Sequence, residues 1–228
     1  MDGSRTRRSP LRQRLPSPAG PVRKARRKRA DQYHHGDLRR ALLDQAVRTI
    51  QLHGVDRLTL RSVGEDLGVS RSALYRHFAD KSALIEAVAA QGFRALREQL
   101  MAAWTTAGLG RLGFAAMAAA YVQFALDQPS HYRVMFGGVL DAQTGDPDLA
   151  VEGTAAFQAL VDAITWQQRE GSVREDDPQQ LARYIWSVVH GISMLALDER
   201  LHTDRAEVDE LVAFAVERIR GGIDTAPR

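Results

Sequence analysis

Cysteine is absent from all 228 residues, so no disulfide can brace this chain and no thiolate can hold a metal. That absence suits a reducing compartment, and a cytoplasmic location is expected. No uninterrupted apolar run approaches twenty residues, so neither a membrane-spanning helix nor a membrane partner is expected. Arg7-Arg8 is followed by Ser9, Pro10 and further arginines where a twin-arginine export signal would need an apolar stretch. Also missing are G-x-S-x-G, a Walker-type loop and H-E-x-x-H, so no enzyme activity is expected. His34-His35 has no companion ligand set, and neither a metal nor a cofactor is expected. Asp176-Asp177 before Pro178 is helix-start chemistry, favourable to the helix dipole, and not an acid/base pair. No segment alternates apolar and polar residues as a strand does, so the fold is expected to be all-α.

The formal charge of +3 is unevenly spread. Met1–Asp31 holds eleven Lys and Arg against two acids, Gln32–Phe93 eight against seven, and Arg94–Arg228 twelve against nineteen. A basic tail, a near-neutral middle and an acidic body imply that one end of the molecule favours nucleic acid. The tail is rich in Arg, Pro, Ser and Gly and is expected to be disordered in isolation. Its Lys24–Arg29 run, KARRKR, is either an auxiliary DNA contact or a solvated tail.

The most informative stretch is Leu58–Lys81, LTLRSVGEDLGVSRSALYRHFADK. Thr59 and Ser70 each stand where a side-chain oxygen caps the following helix. Leu60, Val63 and Leu67 recur at helical spacing on the first segment, and Leu74 and Phe78 on the second. Two short helices joined through Gly68-Val69 form a helix-turn-helix unit, whose second helix can enter a major groove. A helical hairpin in a core needs the same apolar positions. It does not need Ser70, Arg71, Ser72, Tyr75, Arg76 and His77 around one short helix, and such side chains reach phosphates and base edges.

The block from about His35 to Phe93 resembles the TetR family of bacterial transcriptional regulators. It carries, in order, GDLRRALLDQAVRTIQLHG, Leu58-Thr59-Leu60, G-V-S, L-Y-x-H-F, and Lys81 three residues past Phe78. The resemblance implies a phosphate contact from Thr59 and a groove-facing helix start at Ser70, Arg71, Ser72 and Ala73. It further implies phosphate clamps from Tyr75 and His77, and another contact from Lys81. With Arg61 and Arg76, these are the candidate DNA-binding residues. Gly64 stands where the family usually has alanine, which implies either a close helix approach or a helix weakened by about 1 kcal/mol.

Further helices are expected over Asp37–Leu52, from an Asp80 cap to about Trp104, and over Arg111–Asp127, Asp148–Glu170, Pro178–Arg200 and Arg205–Arg220, with Gly221-Gly222 stopping the last. Gly108–Gly113 matches G-x-G-x-x-G literally. A helical pattern precedes it and no strand follows, so it reads as a helix connection and not as a dinucleotide site. The domains expected are a tail over 1–31, a DNA-binding head over 32–80 that continues into the helix 81–104, and an effector-binding and dimerisation body over 105–228.

The Pro178–Arg200 helix is apolar around much of its circumference, so more than one of its sides must be covered. Leu181, Ile185, Val189 and Ile192, with Val208, Leu211, Val212, Val216 and Ile219 of the last helix, are the candidate dimer interface. The resemblance implies two helices from each subunit there. Trp186, His190 and Gly191 form a W-x-x-x-H-G arrangement that, with HYRVMFG, resembles one subgroup of the family. Tyr121, Phe124, Phe136, Phe157, Trp166, Trp186 and His190 are candidate effector contacts. The plainer reading makes them core, with His190 satisfied by a neighbouring carbonyl. The partners implied are double-stranded DNA with a palindromic operator, a second copy of the chain and an unidentified small-molecule effector.

Overall fold

A computed structural model describes residues 35–138, 140 and 146–225, so the tail and the His34 position lie outside the described residues. Among them are nine α-helices and no strand; a single antiparallel bridge joins Val173 to Asp224. The head holds α1 (His35–His53), a 3-10 turn at Val55–Arg57, α2 (Leu60–Leu67) and α3 (Arg71–Tyr75). The 26-residue α4 (Lys81–Thr106) follows. The body comprises α5 (Gly110–Asp127), α6 (Pro129–Phe136), α7 (Pro147–Arg169), α8 (Pro178–Leu197) and α9 (Arg205–Ile223).

Local chemistry accounts for the ends of the head helices. At α2 the Thr59 hydroxyl accepts from the Ser62 amide at 3.0 Å, while the Ser62 hydroxyl accepts from the Thr59 amide at 3.3 Å. Two amides that the helix cannot satisfy are thereby paired. Gly68 closes α2 at φ 68°, a left-handed conformation that a side chain would strain. The Ser70 hydroxyl accepts from the Ala73 amide, and the Asp80 carboxylate from the Ala83 amide. Leu60, Val63, Leu74 and Phe78 are buried in one core with Leu42, Ala46 and Ile50 of α1. The helix approach at Gly64 is close: a β-carbon there would stand 2.8 Å from Leu74 Cδ1, the movable end of a side chain.

The body departs from the sequence expectation in its boundaries. α4 continues to Thr106 and α5 starts at Gly110, so the G-x-G-x-x-G stretch is mostly helix, with a short reversal at Gly108 (φ 90°) and Leu109 (φ 60°). α7 starts at Pro147 on an Asp146 cap, and α8 stops at Leu197. Gly221-Gly222 does not end α9, which runs on to Ile223. Ile223 is buried, and its carbonyl accepts from the Arg174 amide at 2.9 Å. Tertiary burial there outweighs the poor helix propensity of two glycines.

Two tight junctions hold the body together. Gly113 of α5 lies against Trp104, where an added β-carbon would meet the indole at 2.7 Å and the Trp104 carbonyl at 2.9 Å. The carbonyl belongs to α4 itself and cannot swing away. Gly113→Ala is therefore expected to cost about 1–3 kcal/mol of stability, read as a lower urea midpoint at unchanged slope. The second junction is Arg220, only 4% exposed. Its guanidinium donates to Gln167 Oε1 at 2.8 Å, pairs with Asp224 at 2.7 Å and lies over the Phe114 ring. Burial holds its pKa below the ordinary arginine value.

Candidate nucleic-acid interface and ligand cavity

The head presents a continuous polar face. Thr59, Arg61, Ser70, Arg71, Ser72, Tyr75 and Arg76 are exposed, while Ala73, His77 and Lys81 are half-buried. Tyr75 keeps 47% of its surface in water although it is aromatic. The Arg71 guanidinium lies 5.5 Å from the Tyr75 ring centroid, a stacking that limits the rotamers of both side chains. Lys81 Nζ donates to the Asp56 carbonyl at 3.4 Å, tying the start of α4 to the 3-10 turn ahead of α2. Arg61 is paired with Glu65 at 2.8 Å, and that contact raises its pKa. An exposed pair of this kind is easily exchanged for another anion. The Thr59 hydroxyl is already engaged in the α2 cap. A backbone phosphate would therefore meet it as part of a preformed helix start.

A cavity of about 220 Å³ lies within the body. Phe93 and Leu100 of α4, Phe114 and Tyr121 of α5, and Phe136 of α6 form part of its wall. Phe157 of α7, with Ile185, Trp186 and Val189 of α8, supplies more of it. Tyr121, Phe136, Phe157 and Trp186 from the sequence reading thus come together. Phe124 and Trp166 do not line this cavity: Phe124 is buried core, and Trp166 packs edge-on against Trp104 at 5.6 Å. Phe93 and Phe114 were missed, because which aromatic residues converge from separate helices is not encoded in the spacing along either one.

His190 stands behind the wall, satisfied by phenols where the plainer sequence reading expected a carbonyl. Its Nδ1 is 2.7 Å from the Tyr132 hydroxyl and 3.1 Å from that of Tyr121. Tyr132 also donates to Tyr121 at 3.1 Å, and the Trp186 indole N–H donates to Tyr121 at 2.8 Å. Burial raises both phenol pKa values, that of Tyr132 to about 12, and lowers that of His190. The cluster is uncharged at neutral pH. His131 of α6, which senses Asp44 of α1, is lowered by burial as well.

Both histidines resist protonation when folded, whereas the unfolded chain takes up protons near pH 6.5. Stability is thus full above that pH and is lost as pH falls through the lowered folded values. A urea midpoint that drops between pH 7.5 and 5.5, with less of a drop in His131→Gln, is the expected outcome.

The candidate dimer residues divide by burial. Ile185, Val189, Ile192, Val208, Val212, Val216 and Ile219 are all buried within the protomer, and Ile185 and Val189 face the cavity. They contribute little of the protomer's accessible surface. Leu181 and Leu211 are half-buried. The accessible apolar stripe lies on the other side of α8, through Tyr184, Val188 and Leu195, and on α9 through Leu211 and Phe214. Gly191, Gly221 and Gly222 leave open space beside their α-carbons.

Among the described residues, no helix is long and apolar enough to cross a membrane, and no cluster of His, Asp and Glu could hold a metal ion. An exposed helix-turn-helix carried on an all-helical body defines the class as a helix-turn-helix transcription regulator. Residues 42–88 match the family model for bacterial regulatory proteins of the tetR family, and residues 114–219 match the tetracyclin repressor-like C-terminal domain. The chain belongs to the TetR family of transcriptional regulators.

A similar curated protein is an HTH-type transcriptional repressor of Mycobacterium tuberculosis, 28% identical over 166 residues that span 70% of this chain and 82% of that one. Among solved structures, a Rhodococcus protein of unknown function is 35% identical with a TM-score of 0.77, covering 85% of this chain and 99% of its own. A complex of SmeT with triclosan shares the fold at 22% identity and a TM-score of 0.59, covering 82% and 91% of the two chains.

Proposed function

We propose that this regulator is a homodimeric repressor, acting in the cytoplasm, that occupies a palindromic operator and leaves it when a small molecule enters the body cavity. One observation carries the reading: α4 contributes Lys81 to the polar face of the head and Phe93 and Leu100 to the cavity wall. A ligand that favours one tilt of α4 thereby changes how the two heads are spaced. Paired heads suit half-sites one helical turn, about 34 Å, apart. Support comes from the similar mycobacterial protein, which is named a repressor, and from the SmeT neighbour, whose structure holds triclosan.

In this reading Ser70, Arg71, Ser72 and Ala73 meet base edges. Thr59, Tyr75, Arg76, His77 and Lys81 meet the sugar-phosphate backbone, and Arg61 joins them by releasing Glu65. The competing class is a non-specific coating protein, disfavoured by the acidic body and by the cavity. Footprinting on the DNA flanking its own gene supplies the operator. A gel shift against excess random duplex then separates the two classes, because a coating protein loses its complex.

Substitutions at the head test the roles one by one. Arg71→Ala is expected to relax operator preference at a cost of about 1–3 kcal/mol if it reads a guanine. Equal weakening on every duplex would remove it from the base-reading set. Lys81→Met is expected to weaken all duplexes alike and to lower the salt slope by about one.

A further inference from the structure

Six rings stand in the wall of the body cavity: Phe93, Phe114, Tyr121, Phe136, Phe157 and Trp186. At about 220 Å³ the space exceeds the roughly 150 Å³ apolar cavity that admits benzene, leaving room for one ring and a few more heavy atoms. Phe93 and Phe136 meet edge to face at 5.3 Å, as do Phe157 and Trp186 at 6.0 Å.

The polar atoms of this wall are already engaged. The Trp186 indole N–H donates to the Tyr121 hydroxyl at 2.8 Å, and that hydroxyl lies 3.1 Å from both Tyr132 and His190. It has these three polar neighbours whichever imidazole nitrogen carries the proton. Every lining residue other than Phe136 lies within the run of a helix, where backbone amide and carbonyl are bonded along the chain. A hydroxyl or carboxylate brought in by a ligand would leave water without gaining a partner.

Gly153 of α7 leaves a slot in the same wall. Its backbone is not in the left-handed region. An added β-carbon would stand 3.9 Å from the Phe93 ring, an ordinary contact, whereas one at Gly113 would meet the Trp104 carbonyl at 2.9 Å. Glycine inside a helix is weaker than alanine. Neither strain nor packing calls for it at 153; what the missing side chain provides is space opposite Phe93.

We propose that the cavity takes a single-ring molecule presenting only C–H surface, its alkyl end seated in the Gly153 slot against Phe93. The inference rests on the reading of the cavity as the effector site and narrows it to a chemical class. Such a surface belongs to a hydrocarbon or to a quaternary ammonium group, whose charge is covered by methyls and suits ring faces.

Tert-butylbenzene, phenyltrimethylammonium and 2-phenylpropan-2-ol share one outline and serve as probes. Binding to the full-length protein is measured by calorimetry. The tighter of the first two is expected to exceed the alcohol at least about tenfold, and its identity tells hydrocarbon from ammonium ion. An alcohol that binds as tightly, or no binding by any probe, overturns the proposal. Gly153→Leu is expected to weaken the tighter probe at least about tenfold at a urea midpoint near that of the wild type; unchanged affinity overturns the seating. Should that variant fail to fold, Gly153→Ala decides, with a loss of about fourfold, the worth of one methylene. A gel shift keeps the two ideas apart: a probe that binds without loosening the operator complex refutes the switch and leaves the ligand class standing.

Discussion

A chain carrying both Tyr184→Glu and Phe214→Glu is expected to be a folded monomer whose operator affinity is at least about a hundredfold lower. The two rings are 53% and 57% exposed, so neither contributes much to the protomer's own core. Exposed substitutions of this kind usually alter stability by less than about 0.5 kcal/mol. Their effect on pairing is another matter. Tyr184, Val188 and Leu195 follow i, i+4, i+11 along α8, and Leu211 and Phe214 follow i, i+3 on α9, so each set lies along one helix face. Glutamates placed in a self-complementary contact face each other across the two-fold axis and lose their water. A monomer engages one half-site at a time and forfeits the gain of about 10² to 10⁴ that comes from linking two binding events. Sedimentation velocity reads the assembly and a gel shift reads the affinity. A double variant that remains a dimer places the interface elsewhere on the surface.

The second large effect belongs to Arg220. Asp224→Ala is expected to lower stability by about 3–5 kcal/mol, because it strands a guanidinium inside the body with Gln167 as its remaining close acceptor. Asp224 also receives Arg111 at 3.0 Å, but that arginine is 69% exposed and can return to water. Adding Arg220→Met to Asp224→Ala is expected to restore much of the loss, since an apolar side chain over Phe114 needs no counterion. Chemical denaturation of the three proteins at one pH checks both statements. No recovery in the double variant would mean that the cost arises from the lost volume and not from the charge.

Much of this was legible in the residues because the signals involved are short-range. Helix caps at Thr59, Ser70, Asp80 and Asp177 bond within three residues of themselves, so sequence carries nearly the whole cause. The polar crowd around α3 is legible for the same reason. What fails is every question of which partner covers an apolar residue. Ile185, Val189 and Ile192 are periodic and apolar, and periodicity says that they are buried without saying in which chain. The protomer claims them, leaving Tyr184 and Phe214 outside. Gly221-Gly222 likewise carries a stop signal, overruled by Ile223 and Arg220 beyond the reach of local propensity.

The length of α4 has a consequence for DNA. Its 26 residues contain no proline and rise about 1.5 Å each, giving a rod of about 39 Å with Lys81 at one end and Leu100 near the other. Pivoting such a rod by about 5° at the far end sweeps Lys81 through roughly 3 Å, close to the spacing of successive base pairs at about 3.4 Å. In the proposed dimer, two rods turning oppositely about the symmetry axis would double that travel. Displacements smaller than one ring width, where Phe93 and Leu100 stand, would then be enough to set the two heads out of step with the groove.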